Sequence, residues 1–411
     1  MRTVEEQRAI VLAAVRALPS ERVTLVDAHG RTTAEPVTAQ VPIPAFTNSA
    51  MDGFAVRRED VQGASTEAPV VLRVVADVPA GASSDPAIGP GDTARIMTGA
   101  PLPTDADAIV PVEDTLEGFA AQVGGTVSMT APPRPGGDVR LVGADAPVGA
   151  LVLPAGVEIG ALQISAIAAA GTGTVAVAAR PRVAVISTGS ELMPPGTALE
   201  RGQIAESNSF VLAAQITEAS GEVVLRTSAG DDPGELAEVL RHAFELGIDA
   251  VIMSGGVSAG AYEPVKQTLG PSGAMDFVKV AMQPGKPQGF GVTPEGVLLF
   301  GLPGNPVSVA VSFEVFVRPA LLAMQGRAQL LRDRIQLPAG AAWRPSDGRR
   351  QYLPARIDRT DPARWTVAPA HPGGSISNRA GGLALAEAFA IVPAEVDRVE
   401  VGDLVDVMLL G

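Results

Sequence analysis

Residues 182–191 read RVAVISTGSE. Val183 to Ile186 form an unbroken apolar run, the pattern of a strand buried on both faces, as parallel sheets require. A glycine-bearing turn follows at once. Downstream the pattern alternates. SFVLAAQITEASG (209–221) reads as helix and EVVLRTSAG (222–230) as strand. DDPGELAEVLRHAFELG (231–247) is a helix capped by an aspartate, with Pro233 in its first turn and Gly247 at its end. DAVIMSGG (249–256) is the next strand, and MDFVKVAM (275–282) and GVLLFGL (296–302) are two more. NPVSVAVSFEVFVRPALLAMQG (305–326) closes with a long helix. Such alternation predicts a parallel-rich α/β domain over 181–327.

On either side the pattern changes. Residues 46–140 read as all-β, with runs such as VVLRVVADV (70–78) between Gly and Pro turns. Residues 328–411 read as a small all-β domain, with turns at SDG, HPGG and VGD. Residues 1–45 and 141–180 form a fourth unit of extended pieces, to which two short amphipathic or apolar helices are added, one at 4–18 and one ending at Gly171. The N-terminus lacks the basic region and long apolar core of a signal peptide. The apolar stretch 161–179 is too interrupted to span a bilayer. A cytoplasmic protein is expected.

The net charge is −14 and the pI about 4.8, with no basic stripe. This argues against nucleic acid and anionic membrane as partners. Cysteine is absent, which excludes disulfides, thiolate zinc sites, iron–sulfur clusters and cysteine nucleophiles. Three scattered histidines make a His-rich metal site a poor fit, so any metal would be a hard cation on oxygen ligands.

Chemistry is expected at the carboxyl ends of the α/β strands. Glycine-rich turns stand there: STGSE at 187–191, SGGVSAG at 254–260, QPGKP at 283–287 and GLPGNP at 301–306. Such turns let backbone N–H groups approach an anion. This assigns ligand binding to Ser187, Thr188, Gly189, Ser254, Gly255, Gly256, Ser258, Gly301, Pro303, Gly304 and Asn305. None of the turns is a Walker A loop or a GxGxxG. Acidic residues recur nearby at Glu191, Asp231, Asp232 and Glu263, as a Mg²⁺ beside a phosphate requires, although Asp231 and Asp232 also suit helix capping. The chain has 28 arginines and only three lysines, Lys266, Lys279 and Lys286. Lysine persists where a compact ammonium is needed and a planar guanidinium does not fit, and Lys286 between Gly285 and Pro287 suits that description.

Four segments carry a resemblance: PAFTNSAMDGFAV (44–56), RIMTGAPLPTDADAIVPVED (95–114), SGGVSAGAYEPVK (254–266) and FGLPGNPVSVAVSF (300–313). With VAVISTGSEL (183–192) and GRRQYLPARI (348–357), they resemble the MoeA-type molybdopterin molybdenumtransferases, relatives of the gephyrin C-terminal domain and of the plant molybdenum insertase, along essentially the whole chain. The resemblance implies an elongated homodimer of four-domain chains. Each has a central MogA-like three-layer α/β domain, a β-rich second domain and a small C-terminal β-barrel. It also implies insertion of molybdate into adenylylated molybdopterin with Mg²⁺-dependent pyrophosphate hydrolysis and AMP release. The expected partner is the upstream molybdopterin adenylyltransferase. A non-catalytic scaffold and a molybdopterin adenylyltransferase are the alternatives.

Carried over residue by residue, Lys286 and Pro287 match the Lys-Pro of the family's KPGKP loop, whose first lysine is Gln283 here. Ser308 matches the serine of LPGNPVS. Arg349 matches the arginine of a Gly-Arg-x-[DE]-Phe segment in which Gln351 and Tyr352 replace the usual acid and Phe. A further serine is Ser375 or Ser377. Asp231 and Glu263 match the Mg²⁺-related acids, and Glu191 the glutamate of STG[DS]EL. Asp52 and Thr98 match second-domain positions that approach the site across the dimer. Asp138 (GGDV) and Asp145 (GADA) both fit an acidic position of the family's GEDI segment, and the spacing to Gly149 and LPAG (153–156) favours Asp145.

Overall fold

The computed structural model describes residues 1–134, 137–257, 263–345, 348–371 and 380–411. Its centre is a six-stranded sheet in the order Glu222–Ala229, Arg182–Thr188, Ala250–Ser254, Leu298–Leu302, Pro287–Val292, Met275–Lys279. The first four strands run parallel. Pro287–Val292 runs antiparallel to both neighbours. This strand is the departure from the sequence reading, which placed only a turn there. Its PQGFGV has little β-branched signal, and pairing on both edges imposes the extended form. Arg182–Thr188 is buried from its second residue onward, as expected of a strand covered on both faces.

Helices cover the sheet on both sides, giving three layers. One face packs Val183, Val185 and Ile252 against Leu212, Ile216, Phe313 and Leu321. The other packs Ala184, Ile186 and Val251 against Leu236, Leu240 and Val265. The N-terminal helix Val4–Ala13 joins the first layer, where Val11 enters the α/β core. It therefore packs on the central domain and not among the extended pieces of 141–180. The long closing helix, Pro306–Met324, contains one π turn at Phe313–Val317. It alone, among the described residues, is long and apolar enough to cross a membrane, and 89% of its tested window is buried inside the protein.

The second β unit is a five-stranded sheet in the order Ala108–Pro111, Gly53–Val56, Asp92–Ile96, Val70–Val78, Thr126–Met129. The C-terminal sheet runs Arg350–Asp358, Ala388–Val392, Leu404–Leu409, Arg334–Pro338, with Thr366–Pro369 on the outer edge of Arg350–Asp358. A bridge between Ala339 and Val367 brings its two edges together. A two-residue strand of the central domain, Met282–Gln283, adds in parallel to Arg350–Gln351 of this sheet. Beneath that splice lies a shared core in which Val4, Val280, Met282, Val307, Tyr352 and Phe389 meet. The lysine loop and the C-terminal unit are thus held by packing, so residues at 286 and 349 face a common space.

Candidate active site

A cleft of about 1030 Å³ opens at the carboxyl ends of the central strands. It lies over the switch point, where the chain leaves Arg182–Thr188 for opposite neighbours. Thr188 and Gly189, Gly255 and Gly256, and Pro303, Gly304 and Asn305 line it, as the sequence suggested.

The glycines act differently from the expectation. Gly189 donates its N–H to Ala229 O at 3.1 Å, and Gly255 donates to Leu302 O at 3.0 Å. Both donors therefore lace neighbouring strand ends together and are not free for an anion. Glycine is demanded at 255 by φ +89° and by space, because a Cβ there would stand 2.7 Å from Thr188 O. Gly304 lies against the same turn, where a Cβ would make ordinary contact with Gly255 Cα at 3.5 Å. Gly301 does not line the cleft: it is packed inside the sheet, where a Cβ would meet Val257 Cγ1 at 2.8 Å.

Ser187 and Ser254 are likewise below the floor, 0% and 1% exposed. Ser254 Oγ donates to Ser187 Oγ at 3.2 Å, and Ser187 Oγ donates to Glu206 Oε1 at 2.9 Å. A carboxylate only accepts, so the direction of this chain is fixed. Thr188 Oγ1 donates to Ser254 O at 3.2 Å. All three hydroxyl protons point into the protein, so Ser187 and Ser254 are supports and not ligand contacts.

The acidic residues divide. Asp232 is the helix cap, accepting from Gly234 N at 2.9 Å ahead of Pro233 in the first turn. Asp231 escapes that duty and faces the cleft. It is braced by Ser190, whose Oγ accepts from Asp231 N at 3.1 Å and whose N–H approaches Asp231 Oδ2 at 3.4 Å. Glu191 and the buried Glu263 line the same cleft. Among the described residues no three acidic or histidine side chains come close enough to form a ready-made metal group, so Glu191, Asp231 and Glu263 share a wall without forming a cage.

The cationic wall comes from the other end of the strand order: Asp231, Glu191 and Glu263 follow the first, second and third strands of the sheet, whereas Ser308 follows the fourth and Lys286 precedes the fifth. Lys286 and Pro287 line the cleft there together with Ser308, in the first turn of the core helix, and Arg349. The lysine loop is closed by Val280 N donating to Lys286 O at 2.8 Å. Gln288 Nε2 steadies it by donating to Gly285 O and to Ser312 Oγ, each at 2.7 Å. Lys266 and Lys279 are exposed on a helix and a strand away from the cleft. Gln283, in place of the family's first lysine, also lines the wall, and its Oε1 is buried with no hydrogen-bond partner. Gln351 accepts from the Trp343 indole N–H at 3.0 Å and is 2% exposed, so this departure serves the C-terminal core.

Asp52, Thr98 and Asp145 lie outside the cleft of their own chain. Thr98 N and Oγ1 donate to Asp52 Oδ1 at 2.6 and 2.7 Å, and these bonds hold the Asp52 carboxyl below its ordinary range. Asp145 is exposed, with its N–H on Ile43 O at 2.9 Å. Ser258, Ser375 and Ser377 fall outside the described residues. Sequence reasoning missed Glu206 beneath the floor, and Ser207 and Asn208 on the wall, where Asn208 Nδ2 donates to Gly304 O at 2.7 Å. The only local signal was a Ser-Asn pair where a helix starts, because the partners lie far away in sequence.

Residues 2–171 match the MoeA N-terminal region (domain I and II), 184–323 a probable molybdopterin binding domain, and 336–410 the MoeA C-terminal region (domain IV). The class is therefore that of the molybdopterin-handling proteins of molybdenum-cofactor biosynthesis. The chain is 43% identical over 365 residues to molybdopterin molybdenumtransferase 2 of Mycobacterium tuberculosis, covering 87% of this chain and 88% of the relative. It is 35% identical to molybdopterin molybdenumtransferase 1 of the same species, covering 100% and 99%. A crystal structure of the molybdopterin biosynthesis MoeA protein from Pyrococcus horikoshii superimposes with a TM-score of 0.84 at 26% identity, covering 100% of both chains. The chain belongs to the MoeA family of molybdopterin molybdenumtransferases, and it is a transferase that acts in molybdenum insertion.

Proposed function

We propose that the cleft inserts molybdate into adenylylated molybdopterin, with Mg²⁺-dependent hydrolysis of the pyrophosphate bond and release of AMP. The observation that carries this reading is the cleft's division into two poles of opposite charge. Lys286, Arg349 and Ser308 form one pole, and Glu191, Asp231 and Glu263 the other.

Molybdate is a tetrahedral dianion. The Lys286 ammonium, the Arg349 guanidinium and the Ser308 hydroxyl are the donors that would hold it by charge-assisted hydrogen bonds. At the acidic pole the donors are hard oxygens, which suit Mg²⁺. The absence of a three-carboxylate group among the described residues fits an ion that arrives on the substrate diphosphate and takes one or two protein carboxylates. Asp231 and Glu263 would hold it, with Glu191 beside them. When bound it would neutralise charge on the opening diphosphate. Asp231 keeps a fixed position for this role because Ser190 braces it.

Asp52, Thr98 and Asp145 act, in this proposal, from the second subunit of a homodimer. Exposed Phe46, Leu141, Val142, Val148 and Leu151 on the same part of the chain support such a contact surface. The adenylylated substrate would come from a molybdopterin adenylyltransferase. The test measures AMP release from adenylylated molybdopterin with and without molybdate. Molybdate-stimulated release is expected. No release indicates a scaffold, and ATP consumption without insertion indicates an adenylyltransferase.

A further inference from the structure

Glu206 is a buried carboxylate that no ligand pole uses. It is 8% exposed, and no lysine, arginine or histidine pairs with it among the described residues. Its donors are neutral: Ser187 Oγ at 2.9 Å, Ser209 N at 2.8 Å and Ser209 Oγ at 2.6 Å. Burying a charge is costly, and packing alone would be served as well or better by an apolar side chain. What a carboxylate supplies here is direction. It draws down the proton of Ser187, and Ser187 in turn draws down that of Ser254. One residue thereby ties the end of Arg182–Thr188 to the end of Ala250–Ser254, the two strands that flank the switch point.

Glu206 also fixes a third element. Its bond to Ser209 N satisfies a free donor in the first turn of the helix Asn208–Glu218. That start places Asn208 against the turn at Gly304, through Nδ2 to Gly304 O at 2.7 Å. Thr188, Gly255, Asn208 and Gly304 all line the cleft. A single carboxylate thus sets the mutual register of three ligand-facing turns, and none of its bonds reaches the lysine loop.

We infer that Glu206 is a positioning residue for the molybdopterin-bearing half of the substrate, acting through the floor of the α/β domain, with no bond to Lys286 or Arg349, the two charged groups of the oxyanion pole. This rests on the two-pole reading of the cleft. Glu206→Gln keeps the shape but presents an amide NH₂ where one of three donors now points, which reverses or breaks the hydroxyl chain. Glu206→Asp keeps the acceptor at shorter reach.

The experiment compares full-length wild type, Glu206→Gln and Glu206→Asp in steady-state AMP release with varied adenylylated molybdopterin, and separately titrates each with molybdate alone. The inference expects KM for the pterin substrate to rise about tenfold or more in Glu206→Gln, with partial recovery in Glu206→Asp. Molybdate affinity stays within about twofold of wild type. Two results overturn it: an unchanged KM, or a loss of molybdate affinity in step with KM, which would make Glu206 a general fold residue. Should Glu206→Gln not fold, Ser187→Ala and Ser209→Ala remove the donors singly and must show the same one-sided effect. A wild-type enzyme that releases no AMP defeats the two-pole reading, and this inference with it. Normal wild-type turnover with an indifferent Glu206→Gln defeats the inference alone.

Discussion

Arg350 Nη1 donates to Glu5 Oε1, joining the first turn of the chain to a strand of the C-terminal unit one residue from Arg349. The backbone repeats this join. Arg2 N donates to Lys279 O at 3.0 Å, Ala281 N to Arg2 O at 2.8 Å, and Arg350 N to Ala281 O at 3.1 Å. The N-terminal segment, the lysine loop and the C-terminal strand are therefore three neighbours in one ribbon. The ribbon is assembled from pieces 345 residues apart in sequence, and it ties the lysine loop to the strand that begins one residue after Arg349.

The ion pair predicts a pH dependence. Burial is the largest single influence and would raise the Glu5 carboxyl, but the hydrogen bond from Arg350, a backbone hydrogen bond and the charges of Arg350 and Arg8 together outweigh it and hold the group below its ordinary 4.5. A carboxyl depressed in the folded state contributes stability above its unfolded pKa, and that contribution is lost as pH falls through the folded value. Glu5→Gln is therefore expected to be less stable than wild type at pH 7, by about 0.5 kcal/mol because the pair is half exposed. The two melting curves should converge below about pH 4. A difference that persists at pH 3 removes the charge from the explanation.

Lys286→Ala should weaken molybdate binding by roughly 10–100-fold, the loss of one charge-assisted hydrogen bond, with an unchanged melting temperature. Gln283→Lys restores a second cation to the same wall and should tighten binding by up to about tenfold. Isothermal titration with sodium molybdate at fixed ionic strength measures both. Equal affinities for wild type and Lys286→Ala take Lys286 out of the oxyanion pole.

Asp231→Asn should slow AMP release with little change in molybdate affinity, because Asp231 stands at the other pole. A Mg²⁺ titration of turnover distinguishes its role. The half-saturating Mg²⁺ concentration is expected to rise, whereas an unchanged value dismisses Asp231 as a metal ligand. Ser190→Ala, which removes only the brace on the Asp231 N–H, should show a weaker version of the same shift.

Much of this architecture was legible because it is written in local patterns. The apolar run at 183–186, the Asp-Pro start at 232–233 and the glycine after each strand each specify an element within a few residues. Strand order was not legible, and neither was Pro287–Val292, since its extended form comes from pairing partners on both edges. The site divided in the same way. Asp231, Glu263, Lys286 and Arg349 could be named from motifs, and the cleft brings them together. Ser187 and Ser254 look like ligand contacts in the sequence, which does not reveal which way a hydroxyl at a strand end points. That direction is set by Glu206, which lies outside the glycine-rich turns that mark the strand ends.

The glycine at 255 offers a test of the switch point that is independent of catalysis. Its φ of +89° is strained for any residue with a Cβ, and that Cβ would lie 2.7 Å from Thr188 O and 2.8 Å from Thr188 Oγ1. Relief requires the two central strand ends to separate, which stretches the bond from Thr188 Oγ1 to Ser254 O and presses Gly255 toward Leu302 on its other side. Gly255→Ala is accordingly expected to cost about 2–4 kcal/mol and to lower the thermal midpoint of the central domain by roughly 5–15 °C. Gly63→Ala is the control: its Cβ meets nothing within 4 Å, and its φ is unremarkable. It should melt with wild type. Differential scanning calorimetry of the three proteins decides the matter. If Gly255→Ala and Gly63→Ala melt alike, the tight contact between the turns at Thr188 and Gly255 does not constrain the fold.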